Sequence, residues 1–190
     1  MESGRSDKVT DYNDRELIGL FRKSGSRDLA FNLIVRKYQE KLYWHIRKIL
    51  INHQDTDDTL QNTFIKVWTG LDNFREDSSL FTWLYRIATN EALSFMAGRR
   101  RRFMLPLVNV ESQLSKTLEN DVYFNGDELQ LKLQKALLTL PEKQRIVFNM
   151  KYFDEMKYEE MAEILETSVG ALKASFHHAV KKIEKYITEH

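Results

Sequence analysis

The stretch LPEKQRIVFNMKYFDEMKYEEMAEILETSVGALKASFHHAVKKIEKYI (140–187) decides how the chain folds. Pro141 sits where a helix can start, because the N–H it lacks is one that a helix's first turn leaves unpaired anyway. The helix it opens turns Ile146, Val147 and Met150 inward. A second apolar stripe, Met161 and Ile164, falls within 158–165. A third runs from Ser168, with Val169, Leu172, Phe176, Val180, Ile183 and Ile187 at steps of three and four. Only Glu166 and Thr167 separate these two stripes, and Ser168 offers a hydroxyl for an N-cap. A short helix, a tight break and a longer basic helix have the proportions of a helix-turn-helix. Any four-helix bundle with short loops shares that periodicity, but the charge also changes sign across the break. Residues 157–166 carry four Glu and one Lys, whereas 168–187 carry four Lys and one Glu.

Working upstream, Leu129, Leu133, Ala136, Leu137 and Leu140 line a further helix. Periodicity fails over 103–126, where Pro106 and scattered Asn and Ser read as a linker. Before it the pattern returns. Leu29, Leu33, Ile34, Tyr38, Leu42, Ile46, Ile49 and Leu50 mark a helix over 28–50, followed by a turn at 52–56. A helix over 57–69 turns Leu60, Phe64, Val67, Trp68 and then Leu71 inward. The polar loop NFREDSS (73–79) ends in residues that favour N-caps. From Phe81 a last helix runs into Arg99–Arg102, with Leu84, Ile87, Ala88 and Leu93 inside. The expected fold is all-α: two small helical domains, 14–102 and 128–190, joined by a flexible linker at 103–127, the C-terminal one a helix-turn-helix.

Composition supports this. Seven glycines and two prolines in 190 residues are few, and strand-like alternation is hard to find. The absence of cysteine rules out disulfides and thiolate zinc sites and suits a reducing compartment. No apolar run reaches a membrane span, and MESGRSDKVTDYND is polar throughout, so a cytoplasmic location without direct membrane insertion is expected. The net charge of +1 hides a blocked arrangement. Residues 55–74 hold four Asp and one Lys, while 81–102 hold Arg86 and the four-arginine run against one Glu. Each half therefore pairs an acidic helix with a basic one. Basic faces suit phosphates and acidic faces suit a protein partner. His53, Asp55, Asp57 and Asp58 raise the question of a metal-dependent hydrolase. No further carboxylate or His sits at ligating spacing, so no metal or cofactor is expected.

Three stretches resemble the extracytoplasmic-function (ECF) group of bacterial sigma factors, small two-domain subunits of RNA polymerase. DTDDTLQNTFIKVWTGLDNF (55–74) is similar to the family's polymerase-clamp-binding helix. FREDSSLFTWLYRIATNEALSFMAGRRRR (74–102) is similar to its segment for opening and reading the −10 promoter element, and 140–187 to its −35-binding domain. The likeness runs from Asp14 over nearly the whole chain and includes RDLAFNLIVRKYQEKLY (27–43). It implies binding to core RNA polymerase and to promoter DNA, promoter-specific initiation, catalysis left to the polymerase, and control by an anti-sigma factor.

The resemblance also implies site residues. Arg75 to Phe81 would form a loop around a flipped base, with Asn90 and Ser94 on its edge. An amide suits that role because it donates and accepts together. Phe81, Trp83 and Tyr85 cluster at the helix start. Stacking on such side chains is worth roughly 1–3 kcal/mol per base, against an opening cost of a few kcal/mol per pair. Core packing is the competing role for Trp83. Arg99, Arg100, Arg101 and Arg102 would meet phosphate. Asp58, Gln61 and Asn62 would contact the largest polymerase subunit, although relatives often carry Glu at the position of Asn62. On the last helix, behind Ser168, the row Lys173, His177 and Lys181 would enter the −35 major groove beside Ala174 and His178, with Lys182 on the backbone. Many relatives carry Arg where this chain has Ser175 and His178, and often Gly where it has Glu166. The other reading is a helix-turn-helix transcription regulator that acts without being a polymerase subunit.

Overall fold

The structure, a computed structural model, describes residues 12–103 and 128–189, except the side chains of residues 100, 102 and 103. Helix α1 (Asp14–Phe21) is one that the apolar pattern did not single out. Asn13 and Glu16 close it with a reciprocal capping box. Tyr38 donates to Asp14 at 2.7 Å and Lys37 at 2.8 Å, which ties α1 to α2 (Arg27–Leu50). Within α2 the stripe falls as expected except at Leu29, which is 58% exposed while Ala30 and Ile34 turn inward. Leu29 lies a step off the buried face, so alternation by three and four admitted it wrongly.

Helix α3 (His53–Gly70) begins about a turn earlier than expected. The Asn52 side chain accepts from the Asp55 N–H at 2.9 Å and caps a helix where composition suggested a turn. A short 3-10 turn, Leu71–Asn73, leads to the polar loop. Ser79 Oγ then accepts from Thr82 N–H at 3.0 Å and starts α4 (Leu80–Phe103). Apart from Phe103, the last residue of α4, the expected linker at 103–127 lies outside the described residues.

Four helices follow: α5 (Glu128–Leu138), α6 (Glu142–Tyr152), α7 (Tyr158–Leu165) and α8 (Val169–Glu189). Pro141 is the residue before α6, and Leu129 of α5 is 61% exposed rather than inward. Between α7 and α8, Glu166 adopts φ 50 and ψ 48, and Ser168 Oγ accepts from Ala171 N–H at 3.2 Å. A left-handed conformation strains any side chain with a Cβ. Glu166→Gly should therefore raise stability by about 0.5–1 kcal/mol and the thermal midpoint by roughly 1–4 °C, read by circular dichroism. An unchanged or lower midpoint would count against strain at this turn.

The helices share their cores. One cluster joins Leu17, Ile34, Leu42, Leu84 and Ala88 to Ile146, Met150, Met161, Ile164 and Leu172, with α2 packed on α6 and α4 on α7. A smaller cluster of Ala136, Leu137, Leu140, Phe148, Ala179 and Ile183 closes α5, α6 and α8. The two helical units of the sequence reading thus lie in contact. Polar groups cross the same junction. Asp154, in the turn between α6 and α7, faces His45 Nδ1 at 3.0 Å and accepts from Lys48 Nζ, both on α2. Burial pushes the Asp154 carboxyl up, but the hydrogen bond and charge of His45 and the charge of Lys48 outweigh it and hold it below the ordinary carboxylate range. A depressed carboxylate stabilises the folded contact above its unfolded pKa. That contribution is lost only as pH falls through the lowered value, so at neutral pH it is complete.

Candidate nucleic-acid interface

The loop after α3 and the start of α4 frame an open cavity of about 480 Å³, lined by Asn73, Phe74, Arg75, Asp77, Ser78, Trp83, Arg86 and Glu163. Its walls are fixed from behind. Arg22, just past α1, donates to the Phe74 carbonyl at 2.6 Å and to Glu76 Oε1 at 2.7 Å. Glu76 holds φ 61, so this clamp secures a strained turn. Trp83 packs on Phe74 with centroids 4.9 Å apart, and a Cβ at Gly70 would meet its ring at 3.2 Å. Trp83 is therefore part core and part cavity wall.

The aromatic trio does not form one platform. Tyr85 is buried at 3% exposure, its ring 4.8 Å from that of His45. Phe81 lies over Tyr85 at 4.3 Å and so shows only part of itself to solvent. Asn90 and Ser94 are exposed one turn apart on α4. In the arginine run, Arg99 pairs with Asp55 at 2.8 Å, and Arg101 is exposed. Arg100 and Arg102 extend α4, but their side chains lie outside the described residues. Burial raises the Asp55 carboxyl, Arg99 opposes the rise and Asp58 adds to it. Arg99 thus spends one nitrogen on Asp55 while 41% of its side chain stays exposed.

Arg86 was absent from the expected site residues. It lines the cavity, and its Nε is buried without a hydrogen-bond partner among the described residues. A buried guanidinium N–H left unpaired is costly unless something accepts from it. The pattern R-I-A-x-N inside an apolar stripe held that signal, but periodicity alone reads Arg86 as a solvated position.

On α3, Asp58, Gln61 and Asn62 are all exposed and share a face with Ile65, which is 56% exposed. His53 Nδ1 meets the Tyr43 hydroxyl at 2.7 Å, and among the described residues no group of three His, Cys, Asp or Glu is placed to hold a metal ion. On α8, Lys173, Ala174, His177, His178, Lys181 and Lys182 are all exposed. Lys173 reaches over the Tyr158 ring at 5.7 Å, and Lys182 donates to Gln144 at 3.1 Å. The cap spends the Ser168 oxygen as an acceptor while its O–H stays available as a donor.

Comparison with known proteins identifies the family. Residues 34–102 match Sigma-70 region 2, and residues 130–183 match Sigma-70, region 4. The chain is 30% identical to the RNA polymerase sigma-H factor of Pseudomonas aeruginosa over 187 residues, 93% of this chain and 95% of that protein. It is also 30% identical to the ECF RNA polymerase sigma-E factor of Escherichia coli K12 over 182 residues, 92% of this chain and 94% of that protein. Its fold is similar to CnrH, solved in complex with the cytosolic domain of CnrY (TM-score 0.68, 24% identity, 93% of this chain and 97% of that one). It is likewise similar to RpoE of Bartonella quintana, solved with the anti-sigma factor NepR (TM-score 0.65, 22% identity, 83% of this chain and 96% of that one). The chain belongs to the ECF family of RNA polymerase sigma factors. Its function is promoter-specific transcription initiation.

Proposed function

We propose that residues 14–102 dock on core RNA polymerase and open the −10 element, that 128–190 read the −35 element, and that the polymerase performs all the chemistry. The single observation that carries this is the exposed cation-rich row on α8, Lys173, His177 and Lys181, behind a helix-turn-helix break and inside the region 4 match. Lysine at such positions donates to guanine edges or phosphate, and Ala174 leaves room for a thymine methyl. In the first unit, Arg75, Trp83 and Arg86 supply the wall of the flipped-base cavity. Asn90 and Ser94 supply base-edge contacts, Phe81 a partial stacking surface, and Arg101 with its neighbours a phosphate track. Asp58, Gln61 and Asn62 form the polymerase-facing ridge.

An anti-sigma protein belongs to this reading, supported by the similar RpoE, which was solved with one. So does work in the cytoplasm, where chromosome and polymerase meet. Among the described residues, no helix is long and apolar enough to cross a membrane. The rival regulator reading separates cleanly. Asp58→Ala with Gln61→Ala should weaken binding to core polymerase by about tenfold or more, since contacts to a charged group are worth on the order of 1.5–3 kcal/mol. The melting curve should stay put because both side chains are exposed. Undiminished polymerase binding would favour the regulator.

A further inference from the structure

The junction between the two units carries more polar chemistry than packing requires. Asn149, 2% exposed on α6, donates its amide to the Lys48 carbonyl at 3.2 Å. That carbonyl belongs to the last turn of α2, where helix carbonyls lack partners of their own. Five residues on, the Asp154 carboxylate, with 8% of its side chain exposed, takes one oxygen to His45 and the other to Lys48. The turn that presents it is held firmly: Asp154 N–H donates to the Asn149 carbonyl at 3.1 Å, Met156 N–H to the Met150 carbonyl at 3.0 Å, and Glu155 sits at φ 52. His45 is fixed from the other side, with its Nε2 2.9 Å from the Thr89 hydroxyl on α4. The groups facing Asp154 are thus His45 and Lys48 from α2, with Tyr85 of α4 near enough to feel its charge.

We propose that Asp154 and Asn149 form a latch that holds the second unit closed on the first, and that the promoter-spanning form arises when this latch releases. The proposal rests on the sigma-factor reading in one respect, the distance to be spanned. Elements named −35 and −10 lie roughly 25 base pairs apart, on the order of 85 Å along a duplex at 3.4 Å per pair. The longest helices among the described residues, α2 and α4, have 24 residues and extend only about 36 Å. Units in contact through α4 with α7 and α2 with α6 cannot reach both elements at once. The closed form also sets Glu163 of α7 on the wall of the cavity beside Arg75, Trp83 and Arg86. A carboxylate there repels a phosphate approaching the same arginines. Without Asp154, closure would leave the buried His45 Nδ1 and the Lys48 ammonium without their acceptor, whereas opening returns the junction to water.

The test uses the full chain, which has no native cysteine, carrying Gln39→Cys and Glu184→Cys labelled as a donor–acceptor pair. Both positions are exposed, one on α2 and one on α8. The wild-type background should show high transfer in the free protein. Asp154→Ala should lower transfer by more than half, with helical content retained. Asp154→Asn keeps the volume but removes the charge, and it decides the matter if the alanine variant does not fold. Transfer unchanged in a folded Asp154 variant, or already low in the wild type, overturns the latch. Neither polymerase nor DNA enters the measurement, so this failure is distinct from failure of the sigma-factor reading.

Discussion

Asn90→Ala should reduce opening of a promoter that the wild-type chain fires by about 5- to 150-fold. The range follows from the roughly 1–3 kcal/mol that a good side-chain pairing with a base edge contributes. The side chain is exposed, so removing it should leave the melting temperature nearly unchanged; surface substitutions usually stay within about 0.5 kcal/mol. That separation makes Asn90 a cleaner probe than Phe81, whose ring packs on Tyr85 and whose loss mixes folding with binding. Single-round transcription with core polymerase, scored beside a thermal melt, reads both quantities. Equal opening by wild type and variant would remove Asn90 from the base-reading surface.

Leu42→Ala should cost about 2–5 kcal/mol of stability, because the side chain is fully buried and its loss leaves a cavity that the neighbours only partly fill. The helix that carries it touches α1, α3, α4 and α6, so collapse into the void would need several elements to move together. Domains of this class hold only about 5–15 kcal/mol in total, and the midpoint should fall by roughly 4–20 °C. Leu29→Ala on the same helix is the control. With 58% of that residue exposed, its effect should be within about 0.5 kcal/mol. Comparable losses at both positions would show that the burial pattern of α2 is misassigned.

The contrast between these two leucines shows what the amino-acid order makes legible. Spacing by three and four placed α2, α4 and α8 because a long amphipathic helix repeats its signal many times. Helix α1 escaped notice because eight residues give barely two turns, and its identity rests on a capping box and on the reach of Tyr38 to Asp14. Periodicity says that a face is buried but not what covers it. The stripe Met161 and Ile164 was legible, but its sharing of a core with Leu42 and Leu84 was not. Pairs distant in sequence were equally silent: Asp154 with Lys48 lies 106 residues apart, and Arg99 with Asp55 lies 44 apart. Exposed candidates on α8 were easier, since a row every fourth residue on a basic helix fixes its own direction. Arg86 was hidden because its interest comes from an unpaired buried nitrogen, which only three-dimensional placement reveals.

The guanidinium of Arg22 grips the turn at Phe74 and Glu76 across 52 and 54 residues of chain. A residue just past α1 therefore shares custody of the loop proposed to line the base pocket. Chimeras that swap residues 73–79 between relatives without their partner at position 22 would transplant half a scaffold. On the proposed reading, a change of promoter preference has a second place to arise, at position 22.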